Sequence, residues 1–437
     1  MSDKIKICYS WIGPKGPMLN TELPNVLSFA AVGQGMSTDS RMFWCDSVWN
    51  EIFCNRPGYE LYHIAMLEDS DVFVYPYALM WRIPFGSYFL FDSGILEFSH
   101  TPAHVIHQVR NNGGYFLIDL SAEAFVQEQQ LAVMHSYFDF YRIPLSKIIY
   151  VTGCMNANDL YEAYCAKHNI TDPRCKMNLI SYPTSQNSIA RHLGMKPPPP
   201  EPEYNTEIVP EKLFLAWNRR YRNHRISLAL GLEKEGLIDR SYISLGKNDP
   251  ENLSFKFEDV VNPHQRRYLG ITDDHMQSLM NKLPLVLDGE TNIHQMCGDF
   301  DAAARGFYQN SLVSLVTETN YELNEVTLTE KSFKPLKEKH PFVTLGVKGT
   351  LKALKEMGCQ TFSEFWPEDY DEIDDPNIRM RRTIEVLRGI GQWNDAQILD
   401  FRRRVKPILE HNFNVVKTKS SDVVAEKIKQ LIRSKHP

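Results

Sequence analysis

The sequence predicts an α/β fold made of two parallel-sheet domains facing a cleft. Three observations predict it. Short apolar strands alternate with amphipathic helical stretches along most of the chain, the pattern of strand–helix–strand units. The chain has 437 residues, room for two or three domains at about 150 residues each. Pro197-Pro198-Pro199-Pro200, continued by Glu201-Pro202-Glu203, interrupts it near the middle, because four prolines can continue neither a helix nor a central strand. The expected layout is a domain over 1–195, a stiff proline-rich hinge over 196–210, a second domain over 211–390, and a helical tail over 391–437 that is basic in patches.

In the first half, strands are expected at 5–9, 72–75, 88–91, 115–120 and 148–152. Thr101-Pro102 opens a helix with an N-cap and a proline in its first turn. Val105, Ile106 and Val109 follow at helical spacing, and Asn112-Gly113-Gly114 ends it. A longer amphipathic helix is expected at 122–141 and another at 156–166. In the second half, 212–217 reads as a strand and 225–235 as a helix stopped by Gly236. Further strands are expected at 242–245, 285–287, 312–317 and 342–345, and a helix at 350–357 before Gly358. Ligands of such sheets bind outside the carboxyl ends of the strands.

Composition narrows the function classes. Apolar residues make up 43% and charged residues 23%, an ordinary globular mix that excludes a mainly disordered chain. Acidic side chains outnumber basic ones by 54 to 48, a net charge of −6. That argues against a protein that coats nucleic acid through bulk charge and leaves room for a local basic groove. The opening residues carry no signal-peptide pattern, and no apolar run approaches the roughly 18 residues of a membrane span. The eight cysteines form no C-x-x-C pair and read as free thiols of a reducing compartment. A cytoplasmic protein is expected.

The richest stretch is Trp217-Asn218-Arg219-Arg220-Tyr221-Arg222-Asn223-His224-Arg225. A buried strand ends, four arginines come within seven residues, and a helix starts. Helix N–H groups and planar guanidinium forks together suit a pyrophosphate. The plain alternative is a solvated basic loop. A second stretch, Thr329-Glu330-Lys331, offers a helix N-cap, a carboxylate for ribose hydroxyls and an ammonium for phosphate; an ordinary capped helix start with a surface ion pair reads equally well. A third, Pro341-Phe342-Val343-Thr344-Leu345-Gly346-Val347-Lys348-Gly349, is a strand followed by a glycine loop that lets a backbone approach a ligand.

These residues carry a resemblance. Thr329-Glu330-Lys331, then Pro341-Phe342 and the Gly346 loop, resembles the donor-binding half of GT-B glycosyltransferases, nearest the fucosyltransferase-like group. Gly358-Cys359-Gln360-Thr361-Phe362, Tyr370-Asp371-Glu372-Ile373 and the arginine run are similar to uncharacterised glycosyltransferase-like proteins, many of them phage-encoded. The likeness covers 210–390 and the first half only loosely. It implies two Rossmann-like domains, a nucleotide-sugar donor in the second half and an acceptor in the first. It implies phosphate contacts from Lys331 and from an arginine among Arg219, Arg220 and Arg222, beside Asn218, a carboxylate of Glu330 on ribose or sugar, a backbone approach at Gly346 and Gly349, and no metal or other cofactor. Phe333-Lys334-Pro335 departs from the alanine and leucine usual after that lysine, which leaves the donor open. Glu322 and Glu330 also stand at the E-x7-E spacing of retaining GT-B enzymes, a spacing that arises by chance in acidic stretches.

In the first half, Asp119 and Glu123 follow an apolar strand into a helix. An inverting transferase needs a carboxylate there to accept the acceptor's hydroxyl proton, and both are candidates for that base; capping and helix-dipole roles account for them equally simply. Asp69-Ser70-Asp71 has the shape of a metal clamp but precedes a strand instead of ending one, and no metal site is expected. The acceptor is either a glycan or, if the gene is a phage's acting in host cytoplasm, a hydroxylated base in duplex DNA. Arg266-Arg267, the arginines of 379–382 and Arg402-Arg403-Arg404 would then follow the phosphates. The competing class is a non-catalytic nucleotide- or nucleic-acid-binding protein on the same fold. A structural protein with arginine-rich interfaces is the third. Oligomeric state is not legible.

Overall fold

The computed structural model describes residues 4–9, 58–63, 66–78, 103–121, 124, 126–194, 197–218, 222–246, 263–287, 304–418 and 420–436. They form two compact units, one of residues 1–184 with 419–437, the other of residues 185–418. Each is built on a wholly parallel sheet flanked by helices, so the α/β, two-sheet expectation holds.

The first unit contains β1 (Ile5–Tyr9), β2 (Tyr59–His63), β3 (Phe73–Ala78), helix α1 (Ala103–Asn111), β4 (Gly114–Leu120), α2 (Glu128–Phe140), β5 (Ile148–Thr152), α3 (Ala157–Lys167) and β6 (Asn178–Ser181). The strands lie in the order β2-β1-β3-β4-β5-β6. Period-two alternation sorts their side chains onto two faces. Phe73, Tyr75, Phe116, Ile118, Ile148 and Tyr150 pack under Val105 and Val109 of α1, Leu131 and Met134 of α2, and Tyr161 of α3. Ile5, Ile7, Val74, Leu117, Ile149 and Val151 face the opposite way.

Helix α4 (Thr184–Leu193) enters the second unit at Ser185. The unit continues through β7 (Lys212–Asn218), α5 (Asn223–Lys234), β8 (Ser241–Leu245), α6 (Pro263–Leu269), α7 (Asp273–Lys282), α8 (Arg305–Gln309), β9 (Ser311–Thr317), α9 (Glu330–Lys337), β10 (Phe342–Leu345), α10 (Thr350–Glu356), α11 (Pro376–Gly391) and α12 (Asp395–Val416). Its sheet order is β10-β9-β7-β8. Helix α5 is buried from His224 to Leu232, packed against α7 and α11. The chain then returns to the first unit as α13 (Ser420–Lys435). Val424, Ala425, Ile428 and Ile432 of α13 cover the second face of the first sheet. The Tyr59 hydroxyl donates to the Ala425 carbonyl, and Lys435 Nζ donates to the Ser146 carbonyl at 3.0 Å.

Several expectations change. The segment 196–210, read as a hinge, lies within the second unit and is fastened to it. Glu201 pairs with Lys339 at 2.6 Å, the Arg402 guanidinium lies 4.6 Å from the centroid of the Tyr204 ring, and Glu207 meets Arg403 at 2.8 Å. The tail 391–437 divides between the units. The strand expected at 285–287 reduces to one antiparallel bridge between Leu245 and Leu285, because Pro284 has no N–H to extend a ladder. The helix expected from 122 starts at Glu128, with Gln127 as its cap. The strand expected at 88–91 lies outside the described residues.

Gly113 is fixed by close approach. A Cβ there would lie 2.4 Å from the Asp71 carbonyl oxygen, a backbone atom that cannot swing away. Gly113→Ala is expected to cost about 1–3 kcal/mol, read as a lower urea midpoint at unchanged m-value.

Candidate active site on the second sheet

All four strands of the second sheet run the same way, so Asn218, Leu245, Thr317 and Leu345 mark one edge. Asn218 closes β7, buried at 1% exposure. Its N–H donates to Ser244 Oγ at 3.1 Å, and its Oδ1 accepts from the Thr317 hydroxyl. Its Nδ2 is buried without a hydrogen-bond partner among the described residues.

The residue that organises this edge is Glu318, 1% exposed. Its backbone N–H extends the ladder to the Leu345 carbonyl at 2.9 Å. Its carboxylate reaches across to the start of α9. Oε1 accepts from the Thr329 N–H at 3.0 Å and the Ser332 hydroxyl at 2.6 Å. Oε2 accepts from the Thr329 hydroxyl at 2.6 Å. A helix start that would otherwise meet water is thus pinned by a buried negative charge. Thr329 is the N-cap, and Lys331 Nζ donates to its Oγ1 at 3.2 Å and to Glu330 Oε1 at 2.7 Å. Burial pushes the Glu330 carboxyl up, but Lys331 and Lys334 outweigh it and hold the group down at about 2.

The arginine run joins this neighbourhood through His224. The ring is 4% exposed, stacks on Tyr321 at 5.0 Å between centroids, and its Nε2 donates to the Glu318 carbonyl at 2.9 Å. Burial, then the charges of Arg225, Arg222 and Lys331, keep it far below the usual histidine range, with only the Glu318 carbonyl opposing. Two separated stretches of sequence therefore place positive charge around one imidazole. Arg222 itself is the exposed N-cap residue of α5. Asn223 Nδ2 donates to Glu322 Oε1 at 3.4 Å, so Glu322 stands at the same edge.

Arg219 and Arg220 lie outside the described residues, as does Glu123. Asp119 is on β4, one residue before that strand's carboxyl end, in register with Val151. The glycine loop is built for close packing: a Cβ on Gly346 would lie 2.4 Å from Thr350 Oγ1, and Gly349 has φ +85°. The α10 N–H groups it exposes are already filled. Asp371 accepts from Leu351 at 2.9 Å and Lys352 at 3.1 Å, leaving those donors unavailable to a phosphate. Asp71, of the Asp69-Ser70-Asp71 stretch, pairs with Lys6 at 2.6 Å. His104 and His107 are exposed on α1.

Sequence reasoning missed Glu318 and gave His224 no role. The available signal was a charged residue directly behind a fully buried strand, where solvent exposure is not the default.

No protein-family model and no curated protein matches the sequence. Among solved structures, the chain superposes on the alpha,alpha-trehalose-phosphate synthase (UDP-forming) from Burkholderia vietnamiensis with TM-score 0.39 and 13% identity, covering 93% of this chain and 79% of that one. On the N-terminal domain of trehalose-6-phosphate phosphatase from Candida albicans the TM-score is 0.44 at 8% identity, covering 99% and 97%. Anabaena Alr3699/HepE, solved with UDP and glucose, gives 0.36 at 10%, covering 99% and 98%. Superpositions this loose fix neither family nor activity. What the chain has is two α/β units on parallel sheets. Among the described residues, no helix is long and apolar enough to cross a membrane.

Proposed function

We propose that this chain is a glycosyltransferase of GT-B type that moves a sugar from a nucleotide-sugar donor to an acceptor hydroxyl. The carrying observation is the Glu318 clamp, which holds the Thr329–Ser332 turn so that Lys331 stands at the same strand edge as Arg222 and His224. A diphosphate leaving group gains negative charge as its bond to the sugar breaks, and fixed cations stabilise that charge without reorganising. Lys331 and Arg222, with Arg219 and Arg220 of the same run, take that role. Glu330, ionised and paired with Lys331, accepts from ribose or sugar hydroxyls and so frees the ammonium for phosphate. The acceptor oxygen bonds to the anomeric carbon as the diphosphate departs. Its proton passes to a carboxylate, for which Asp119 or Glu123 is proposed.

The acceptor proposed is a glycan. Most arginines that would track a DNA backbone already have oxygen partners. Arg266 meets Asp273, Arg382 pairs with Asp369 and Glu385 at 3.0 Å, Arg403 pairs with Glu207, and Arg404 with Glu364. Arg379 and Arg402 are buried. Steeply salt-dependent binding to duplex DNA would reverse this choice.

The test is a thermal-shift screen against nucleoside diphosphates and their sugars. A ligand at 100 times its Kd adds about 2.7 kcal/mol of stability. Lys331→Ala and Arg220→Ala are each expected to abolish that shift while the unliganded protein stays folded. A shift that survives both removes the phosphate-site assignment. Nucleotide binding without turnover of any sugar nucleotide supports the non-catalytic alternative.

A further inference from the structure

A hollow of about 260 Å³ opens at the far end of α5. Helix α5 starts at Asn223, on the donor edge, and ends at Lys234. Twelve residues at about 1.5 Å each carry it roughly 18 Å from that edge. The hollow is therefore separate from the site described above.

Gly231, Leu269 and Ile384 are among its lining residues. A Cβ on Gly231 would lie 2.3 Å from Ile384 Cδ1, so the glycine lets α11 approach α5. The rim is basic. Arg381 and Arg388, seven residues apart on one face of α11, stand with Arg267 of α6 and Lys234 of α5 around it. Tyr268 is 39% exposed, and the Arg381 guanidinium lies 4.8 Å from its ring centroid. Lys234 is occupied, donating to the Leu269 carbonyl at 2.7 Å. Arg381 meets Glu385 only at 3.7 Å, and Glu385 is drawn to Arg382 at 3.0 Å.

Arg267 and Arg388 differ from these. Neither side chain makes a hydrogen bond or ion pair with the described residues, although Glu235 and Glu385 line the same hollow. Their place in the last turns of α6 and α11 complements the negative helix ends. That complementarity needs no direct hydrogen bond, so both guanidinium forks keep their donors unfilled. Planar forks facing a hollow recognise oxyanions by paired N–H donors. The volume falls just below the roughly 300 Å³ at which pockets for larger ligands begin, a size suited to a small anion.

We propose that this hollow binds a small molecule carrying one or two phosphates, held by Arg267 and Arg388 with Arg381 at its side, as a second anion site on the same unit.

The test is calorimetric titration of the full chain with inorganic pyrophosphate at low salt, in the Lys331→Ala background so that the donor edge does not contribute. Binding is expected to persist there. Adding Arg267→Ala and Arg388→Ala should weaken it at least about tenfold, and restoring both positions as lysine should recover part of it. Both side chains are exposed, so the thermal midpoint of each variant should stay near that of the parent. Arg388→Gln alone serves if the double variant unfolds. No binding in the Lys331→Ala background, or binding indifferent to Arg267 and Arg388, overturns the proposal. So does a short DNA duplex that binds through these two arginines more tightly than pyrophosphate does.

Discussion

Glu318→Ala is expected to destabilise the second unit by about 3–5 kcal/mol. The carboxylate accepts from the Thr329 N–H, the Thr329 hydroxyl and the Ser332 hydroxyl, in a place where Ser332 has no exposure. Hydroxyls can rotate towards other acceptors; the Thr329 N–H cannot. Each buried donor left unmet costs about 1–3 kcal/mol. The change also frees the start of α9, so Lys331 loses its fixed position and the nucleotide-dependent thermal shift should fall with it. Glu318→Gln keeps the shape and one acceptor but turns an amide donor towards groups that themselves donate. It should cost less, about 1–2 kcal/mol, and still weaken the shift. Urea unfolding of both variants decides the matter. A loss under about 1 kcal/mol for the alanine variant would show that the α9 turn stands without its clamp.

Acid should remove about 3 kcal/mol from the second unit through His340 alone. The ring is 1% exposed. Ser314 Oγ lies 2.8 Å from its Nδ1, and the Ser311 carbonyl lies 3.0 Å from its Nε2. Burial lowers its pKa to about 4, with Arg402 adding to the effect and the Ser311 carbonyl opposing it. The folded value is below the unfolded one, so the unfolded chain takes up the proton first. The stabilisation is complete above about pH 6.5 and is lost as the pH falls towards 4. His224 acts in the same direction. Stability measured by urea at steps between pH 7 and 4 should show this slope, and His340→Asn should flatten it. An unchanged slope in that variant would assign the acid sensitivity elsewhere.

Where burial and periodicity coincide, the fold is legible in the sequence. Residues 5–9, 148–152 and 342–345 read as strands because each is an apolar run cut off sharply, and the structure gives those same bounds. The strands that escaped are sheet edges. Tyr59–His63 and Asn178–Ser181 each have one neighbour only, so polar residues are tolerated and the apolar pattern weakens. Proline content reports local stiffness and says nothing of what the segment packs against. Lys339, Arg402 and Arg403, which hold 201–207, are more than a hundred residues downstream.

The site divides the same way. Arginine density after β7 and the Thr329-Glu330-Lys331 turn are visible as strings. Glu318 is not, because its meaning depends on an excursion that brings residue 329 back over it. The same holds after the Gly346 loop: Asp371, twenty residues beyond Leu351, accepts from the start of the following helix, a partner no local string announces.

The path of α13 has a consequence for biosynthesis. Ile5, Ile7, Val74 and Leu117 emerge early from the ribosome, yet the helix that shields them is encoded after residue 418. The domain begun first is completed only once all of the other has been translated, which inverts the usual amino-terminal-first order. Throughout that interval these side chains lack the cover that α13 gives them, and exposed apolar surface of this kind is what makes a nascent chain prone to aggregate.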